Sequence, residues 1–318
     1  MSENIVIAGP GGLGESYGSP FVFGYLRRFK VAVFSRSQKP ELEKKGAAVK
    51  VVDYNDIPSL RAAIKSTQAD TLLSFIVDLK NPDAMARSHR NLLEAAVLEG
   101  IKRFVPAEYA NDVVRFPVPP SSEADKLHFR EHAARVCRAH DVEYTLICNG
   151  IIMDFFLPRG KKKYIADLPP EFPNILPVYA EADAPRVMVL GGPEDRISMT
   201  LADDIAKGMV RLLLQPYGSW DEITYLSGDR MSWEEAAEIL GRILDRKVET
   251  RYVSLDDLKQ EVREAHGSYD LMRVECAELN EAFGNGSEVL PANTICFEGM
   301  ETKRFEQVMR EHYGKGND

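Results

Sequence analysis

The chain has 318 residues, enough for one enlarged α/β domain or for a nucleotide-binding domain with a smaller addition. Its formal net charge of −9 argues against a nucleic-acid-binding surface, which needs a basic face to neutralise phosphates. No apolar run reaches the roughly 18 residues of a membrane span, and no cysteine or histidine spacing is typical of a metal site. Together with Cys137 and Cys148, expected to be reduced core residues, these features predict a cytoplasmic protein without a metal.

The opening of the chain predicts a nucleotide-binding βαβ unit. Ile5 to Ala8 is an apolar run typical of a buried strand, and Val31 to Phe34 is a second one. The turn after the first strand satisfies G-x-G-x-x-G, in which glycines let the backbone approach a pyrophosphate seated on a helix N-terminus. The backbone expected to hold that pyrophosphate is that of Gly9, Gly11, Gly12, Leu13 and Gly14.

The helix after the glycines begins late. Gly18, Ser19 and Pro20 stand where its first turns belong, and Ser19 as N-cap with Pro20 as first helical residue would start it there. A longer loop alters the phosphate cradle, so a changed or lost cofactor site stays open.

The residue after the second strand indicates which dinucleotide is bound. NAD sites usually place an acidic residue there to accept hydrogen bonds from the ribose, whereas a basic residue accommodates a 2′-phosphate. Here Ser35 is followed by Arg36, with Lys39 close behind and no acid. We therefore predict NADP(H); the alternative is that both cations are solvated loop charges.

The alternation of strands and helices then predicts a doubly wound, Rossmann-type parallel sheet. Further strands are expected at 48–53, 71–77, 103–106 and 144–148, with helices at 57–66, 84–99 and 123–140. Asp53 closes the third strand as an adenine-side contact or as a turn residue, and Ser74 and Phe75 should lie near the nicotinamide side. Beyond residue 151 the alternation loosens into a smaller α/β region with helices at 201–214, 232–244 and 255–265, so we divide the chain into an NADP-binding domain, 1–155, and a partly interleaved substrate region, 156–318.

Lys126 is the candidate acid or base. No tyrosine is followed four residues later by lysine, the pair with which many dinucleotide-dependent reductases move a proton. Lys126 lies in the first turn of its predicted helix, one turn before a predicted buried face, where the positive helix end lowers an ammonium pKa. The alternative is a surface lysine whose stem covers apolar surface. The predicted buried face consists of Phe129, Ala133, Val136, Cys137 and His140.

Several of these segments together resemble the NmrA-like, isoflavone reductase-like branch of the atypical short-chain dehydrogenases. They are IAGPGGLG, Arg36, VVDYND at 51–56, KRFVPAEY at 102–109, Lys126 and EYTLICNG at 143–150. The resemblance covers about residues 4–255.

The resemblance implies an NADPH-dependent reductase of phenolic, enone-like or polyketide-like metabolites in secondary metabolism, with Lys126 as acid/base. The substrate-side residues it implies are Glu108, Tyr109, Asn149, Met153, Phe155 and Phe156; Asn149 also borders the cofactor, and the two phenylalanines have a core role as alternative. The expected partner is a small molecule, neither nucleic acid nor membrane, with a homodimer left open. Two other functions on the same scaffold stay open: a non-catalytic NADP-sensing regulator, and a non-redox dehydration, isomerisation or cyclisation.

Overall fold

The computed structural model of the protein describes residues 4–9, 28–77, 81–115, 121–158, 177–181, 183–268, 270–291 and 299–314, with the backbone alone at 82, 121–128 and 271–272. By its internal contacts the chain forms two compact units, each assembled from separate segments. The first consists of Met1–Tyr109, Asp125–Cys148 and Ile205–Thr224, and the second of Ala110–Ala124, Asn149–Asp204 and Tyr225–Asp318. The functional division into 1–155 and 156–318 stays a prediction.

A six-stranded parallel sheet forms the centre of the first unit, with the order β3-β2-β1-β4-β5-β6. Its strands are β1 (Asn4–Ala8), β2 (Lys30–Ser35), β3 (Ala48–Val51), β4 (Thr71–Ser74), β5 (Arg103–Val105) and β6 (Glu143–Tyr144). The helices that precede or follow them are α1 (Pro40–Glu43), α2 (Ile57–Thr67), α3 (Pro82–Leu98), α4 (Ser121–Ala139) and α5 (Ala202–Leu213). The predicted doubly wound fold is confirmed.

The strands are apolar on both faces because both faces are covered. Val6 and Phe34 pack with Leu60 of α2 and Leu92 of α3 in one core, while Ile7 on the opposite face is also fully buried. Parallel strands covered on both faces show such continuous apolar runs.

Three predicted boundaries are wrong in informative ways. Strand β4 ends at Ser74 instead of residue 77, so the next residues leave the ladder. The predicted strand 144–148 is divided at Thr145, whose hydroxyl bonds that of Thr224 at 2.8 Å. Beyond it, β7 (Leu146–Cys148) pairs with β12 (Ile223–Tyr225) instead of with the large sheet. His140 is exposed, because α4 ends one residue before it.

The second unit contains two small three-stranded sheets and a core of its own. The sheets have the orders β14-β10-β9 and β13-β11-β8. Their strands are β8 (Ile151–Ile152), β9 (Val178–Tyr179), β10 (Arg186–Leu190), β11 (Arg196–Thr200), β13 (Asp229–Ser232) and β14 (Glu249–Val253), and the helices are α6 (Trp233–Leu244), α7 (Leu255–Gly267), α8 (Leu271–Gly284) and α9 (Phe305–Tyr313). Ser232 and Ser254 open α6 and α7 with capping boxes, which confirms both predicted helix starts.

A buried arginine fastens the segment 205–224 to the sheet of the first unit. Arg103 on β5 forms a 2.6 Å ion pair with Glu143 on β6, and both side chains are less than a tenth exposed. Its guanidinium lies 4.5 Å from the centre of the Trp220 ring. Its terminal nitrogens donate to the carbonyl oxygens of Leu213, Gln215 and Pro216. One side chain thus binds three carbonyl oxygens at and just beyond the C-terminal end of α5.

We expect Arg103→Met to lower the free energy of unfolding by about 3–5 kcal/mol, because it leaves the buried Glu143 carboxylate and three carbonyls without their donor. Urea unfolding followed by circular dichroism measures this loss. The exposed neighbour Lys102→Met is the control and should change stability by less than about 0.5 kcal/mol. A similar small loss in both variants would contradict the role given to Arg103.

Candidate functional site

A cavity of about 250 Å³ opens at the carboxyl ends of the first four strands. Strand β1 lies between β2 and β4, so the connections leave the sheet in opposite directions at this point, and open α/β sheets bind ligands there. The lining residues are Gly9, Ser35, Arg36, Ser37, Lys39, Asp53, Tyr54, Asn55, Ile76, Val77, Ala84, Met85, Arg87 and Ser88. The sequence-predicted Gly9, Arg36, Lys39 and Asp53 are therefore brought together.

The backbone at Gly9 forms the bottom of this cavity. Gly9 has φ +85°, and a Cβ added there would lie 2.7 Å from the backbone nitrogen of Ile76. The chain therefore requires glycine both for its conformation and for the close approach of the two segments. Gly11, Gly12, Leu13 and Gly14 lie outside the described residues.

Tyr54, which the sequence analysis did not single out, fixes this glycine. Its hydroxyl donates to the carbonyl oxygen of Phe34 at 2.8 Å and accepts from the N–H of Gly9 at 2.9 Å. Burial raises the pKa of Tyr54, so the hydroxyl keeps its proton. The only sequence signal is an aromatic residue directly after the third strand.

A second buried side chain, His89 on α3, holds the opposite wall. Its Nε2 lies 2.9 Å from the carbonyl oxygen of Ile76, which can only accept, so Nε2 carries a proton. The ring also packs against Phe129 of α4, with centroids 4.6 Å apart. The wall of the cavity is thus tied to the helix that carries Lys126. The side chain of Lys126 lies outside the described part of the chain.

Positive charge dominates the lining. Arg36, Lys39 and Arg87 face one acid, Asp53. Arg36 forms no hydrogen bond to any described residue, and the Nε–H of Arg87 donates to Oδ1 of Asn55 at 3.1 Å. The cavity therefore suits an anionic ligand, although the whole chain is acidic.

The other predicted cofactor-side residues are buried beside the cavity. Ser74 is 1% exposed at the end of β4, and its hydroxyl lies 3.5 Å from the backbone nitrogen of Ile76. Phe75 is also buried and stacks on Tyr109, with centroids 4.4 Å apart and planes 3° from parallel.

Tyr109 combines two features that are uncommon in a purely structural residue. Its φ is +45°, in the left-handed region, and its buried hydroxyl has no hydrogen-bond partner among the described residues. Burial, and then the neighbouring Glu108 carboxylate, raise its pKa well above the usual range. Glu108 itself is buried and paired with Arg130 at 3.1 Å. Its carboxylate is therefore neutralised by an ion pair.

Asn149 and the residues after it belong to the second unit. The Asn149 backbone N–H donates to the carbonyl oxygen of Ala110 at 2.8 Å, and its carbonyl accepts from the Thr200 hydroxyl at 2.7 Å. Its buried Oδ1 has no partner in the described structure. Met153 and Phe156 are core residues, whereas Phe155 is half-buried.

The described ranges contain neither a candidate metal site nor a candidate membrane span. There is no group of three or more His, Cys, Asp or Glu side chains that could hold a metal ion. No described helix has the length and apolar character needed to cross a membrane.

The model of the NmrA-like family matches residues 2–293 of the chain. The chain belongs to the NmrA-like family. This confirms the resemblance predicted from the glycine turn, Arg36 and the run KRFVPAEY.

Relatives within and around this family are named as reductases. The oxidoreductase swnR of Metarhizium robertsii is 29% identical over 266 residues, covering 82% of this chain and 80% of that protein. The phenylcoumaran benzylic ether reductase Pyrc5 of Pyrus communis is 24% identical over 218 residues, covering 67% of this chain and 63% of that protein. The leucoanthocyanidin reductase–NADPH complex of Vitis vinifera superposes with a TM-score of 0.73 at 17% identity, covering 97% of this chain and 99% of that one. At that identity the superposition shows the shared fold.

We expect Tyr54→Phe to lower the free energy of unfolding of this NmrA-like protein by about 1–2 kcal/mol, because a buried hydroxyl that makes two backbone hydrogen bonds is lost. Tyr217→Phe is the matched control, since the Tyr217 hydroxyl also donates to a carbonyl, that of Asp141, but at an exposed position. Denaturant unfolding should show almost no change for the control. Equal effects in the two variants would contradict the role of Tyr54.

Proposed function

We propose that the protein is an NADPH-dependent reductase of a small aromatic, enone-like or polyketide-like metabolite. The observation that carries the proposal is the cation-lined cavity at the point where the strand order reverses, with Gly9 among its lining residues. The names of the family relatives support the reaction class: oxidoreductase and phenylcoumaran benzylic ether reductase, with a leucoanthocyanidin reductase–NADPH complex of the same fold.

The residues present suit NADP(H). Gly9 follows β1 with φ +85° and lines the cavity, and Arg36 and Lys39 follow β2, where a ribose 2′-phosphate is recognised. Gly9 and the glycines at 11, 12 and 14 would hold the pyrophosphate, with Ser74 and Phe75 toward the nicotinamide. When bound, NADPH supplies a hydride.

Lys126 would supply the proton that completes the reduction. It lies in the second turn of α4, not in the predicted first turn, and the positive N-terminal end of the helix would lower the pKa of its ammonium. The Lys126 ammonium would give a proton to the substrate oxygen when the electrophilic carbon accepts a hydride. One C–H and one O–H bond would form, the carbon–oxygen π or σ bond of the substrate would break, and the neutral amine would regain its proton from water.

Tyr109 would assist as a neutral hydrogen-bond donor. Its raised pKa keeps the proton on the hydroxyl, so it can polarise a substrate oxygen but is a poor base. Glu108, neutralised by Arg130, would position this tyrosine instead of exchanging protons. We also assign substrate contact to Asn149, with its buried Oδ1, and to the half-buried Phe155.

The cysteines indicate the cellular compartment of the protein. Cys137, Cys148 and Cys276 are reduced thiols, which persist in reducing compartments. We therefore assign the protein to the cytoplasm.

The proposal is tested first by calorimetric titration with NADPH, NADP⁺ and NADH. We expect micromolar binding of NADPH, weaker binding of NADH, and a loss of about 10–100-fold for NADPH in Arg36→Ala, since a charge-assisted contact to the 2′-phosphate disappears. Arg135→Ala, on the exposed side of α4, is the control and should bind like the wild type. Binding of none of the three dinucleotides would overturn the proposal and favour a non-redox reaction.

The second test concerns Lys126. We expect Lys126→Met to retain NADPH binding but to lose at least about a hundredfold in turnover, the usual contribution of a positioned acid. Turnover is followed by the loss of NADPH absorbance with a panel of benzylic ethers, quinones and enones, and Lys102→Met serves as the control. Unchanged turnover in Lys126→Met would remove this lysine from the mechanism. Tight NADPH binding with no turnover of any panel member would favour a sensor.

A further inference from the structure

Arg87, on the second turn of α3, lines the same cavity as Arg36 although the two are far apart in sequence. No motif in the sequence marks Arg87, because a helix with two exposed arginines contains no signal that distinguishes one from the other. Its placement makes the cavity wall cationic on two sides: Arg36 and Lys39 come from the segment after β2, and Arg87 comes from α3.

The Arg87 guanidinium is held at one end. Its Nε–H donates to Oδ1 of Asn55 at 3.1 Å, and this is its single hydrogen bond within the described structure. The two terminal –NH₂ groups therefore keep their N–H donors for a ligand. A guanidinium fixed through Nε presents these donors as a planar fork, a geometry that matches two oxygens of a phosphate.

Asn55 is itself oriented by Asp53. Oδ1 of Asp53 accepts from the backbone N–H of Asn55 at 2.8 Å and from its Nδ2 at 3.2 Å. These two contacts settle which end of the Asn55 amide faces Arg87: the nitrogen is used by the carboxylate, so the oxygen points to the guanidinium. The neutral amide also stands between Asp53 and Arg87, so that the carboxylate does not neutralise the arginine by direct pairing.

We propose that Arg87, presented by Asn55 and Asp53, is a further cation for the 2′-phosphate beside Arg36 and Lys39, and that it helps to select NADPH over NADH. The inference rests on the proposed function, since it assumes a dinucleotide in this cavity. A phosphate monoester carries close to two negative charges and three acceptor oxygens; Arg36 and Lys39 come from one segment of the chain, and Arg87 adds a planar pair of N–H donors from α3. Asp53 then serves as a positioning residue, not as a ligand of the ribose.

The test measures binding of two adenine nucleotides by calorimetry. Adenosine 2′,5′-bisphosphate carries the 2′-phosphate, and 5′-AMP lacks it. We expect Arg87→Gln to lower the affinity for the bisphosphate by about 10–100-fold, since a charged hydrogen-bond pair is removed from the 2′-phosphate. The affinity for 5′-AMP should stay within about twofold of the wild-type value. Asn55→Ala should lower the affinity for the bisphosphate by a smaller factor, because the Arg87 guanidinium remains but loses its hydrogen bond to Asn55.

The control is Arg90→Gln, three residues along the same helix. Arg90 is exposed, does not line the cavity, and makes its own backbone contact to Ala86, so this variant removes the same charge without touching the proposed fork. It should bind both nucleotides like the wild type. Thermal melts of all variants should coincide with that of the wild type, since the substituted side chains are exposed.

The possible results distinguish the role of Arg87 from the proposed function of the protein. Wild-type binding of the bisphosphate with no loss in Arg87→Gln would overturn the role of Arg87 and leave the proposed reductase standing. Equal weakening of both nucleotides would place Arg87 on the adenosine and also overturn the inference. Failure of the wild type to bind either nucleotide or NADPH would instead overturn the proposed function.

Discussion

The cavity exists because two backbone segments at the ends of β1 and β4 approach more closely than any side chain would permit. At Gly9, a Cβ would lie 2.7 Å from the nitrogen of Ile76, and φ of +85° is a conformation that glycine adopts without strain. Tyr54 holds the glycine from the side of β2, and His89 holds the carbonyl of Ile76 from α3. This contact joins the ends of β1 and β4 where Gly9 and Ile76 line the cavity.

The cavity is positively charged although the chain as a whole has a negative net charge. The formal net charge of the chain is −9, yet the cavity is lined by three cations and one acid. That acid, Asp53, accepts a hydrogen bond from the side-chain amide of Asn55. Local potential in a cleft, not net charge, determines which ligand is attracted at short range, because exposed charges farther than a Debye length are screened by salt. An acidic protein can therefore bind a polyanionic cofactor.

Two buried arginines have a different task from those of the cavity. Arg103 and Arg130 are both desolvated, and each is paired with a glutamate that is also buried, Glu143 and Glu108 respectively. Breaking such a pair is costly because it leaves a buried charge without its partner, so the pairs specify where the connected segments lie. Arg103 anchors a segment that returns from late in the chain. Arg130 fixes the residue before Tyr109, whose backbone is left-handed and whose hydroxyl is buried.

The sequence by itself determined the parallel α/β sheet, the glycine at position 9 and the cations at 36 and 39, because apolar periodicity and turn chemistry are properties of neighbouring residues. It also predicted the family through the run KRFVPAEY. Only the tertiary structure decided that Arg87 lines the cavity of Arg36, that the Tyr54 hydroxyl bonds Gly9, and that the predicted strand 144–148 divides between two partners. Each of these depends on which distant segments meet, and that is settled by the packing of the whole core and the pairing of buried polar groups, for which local sequence contains no signal.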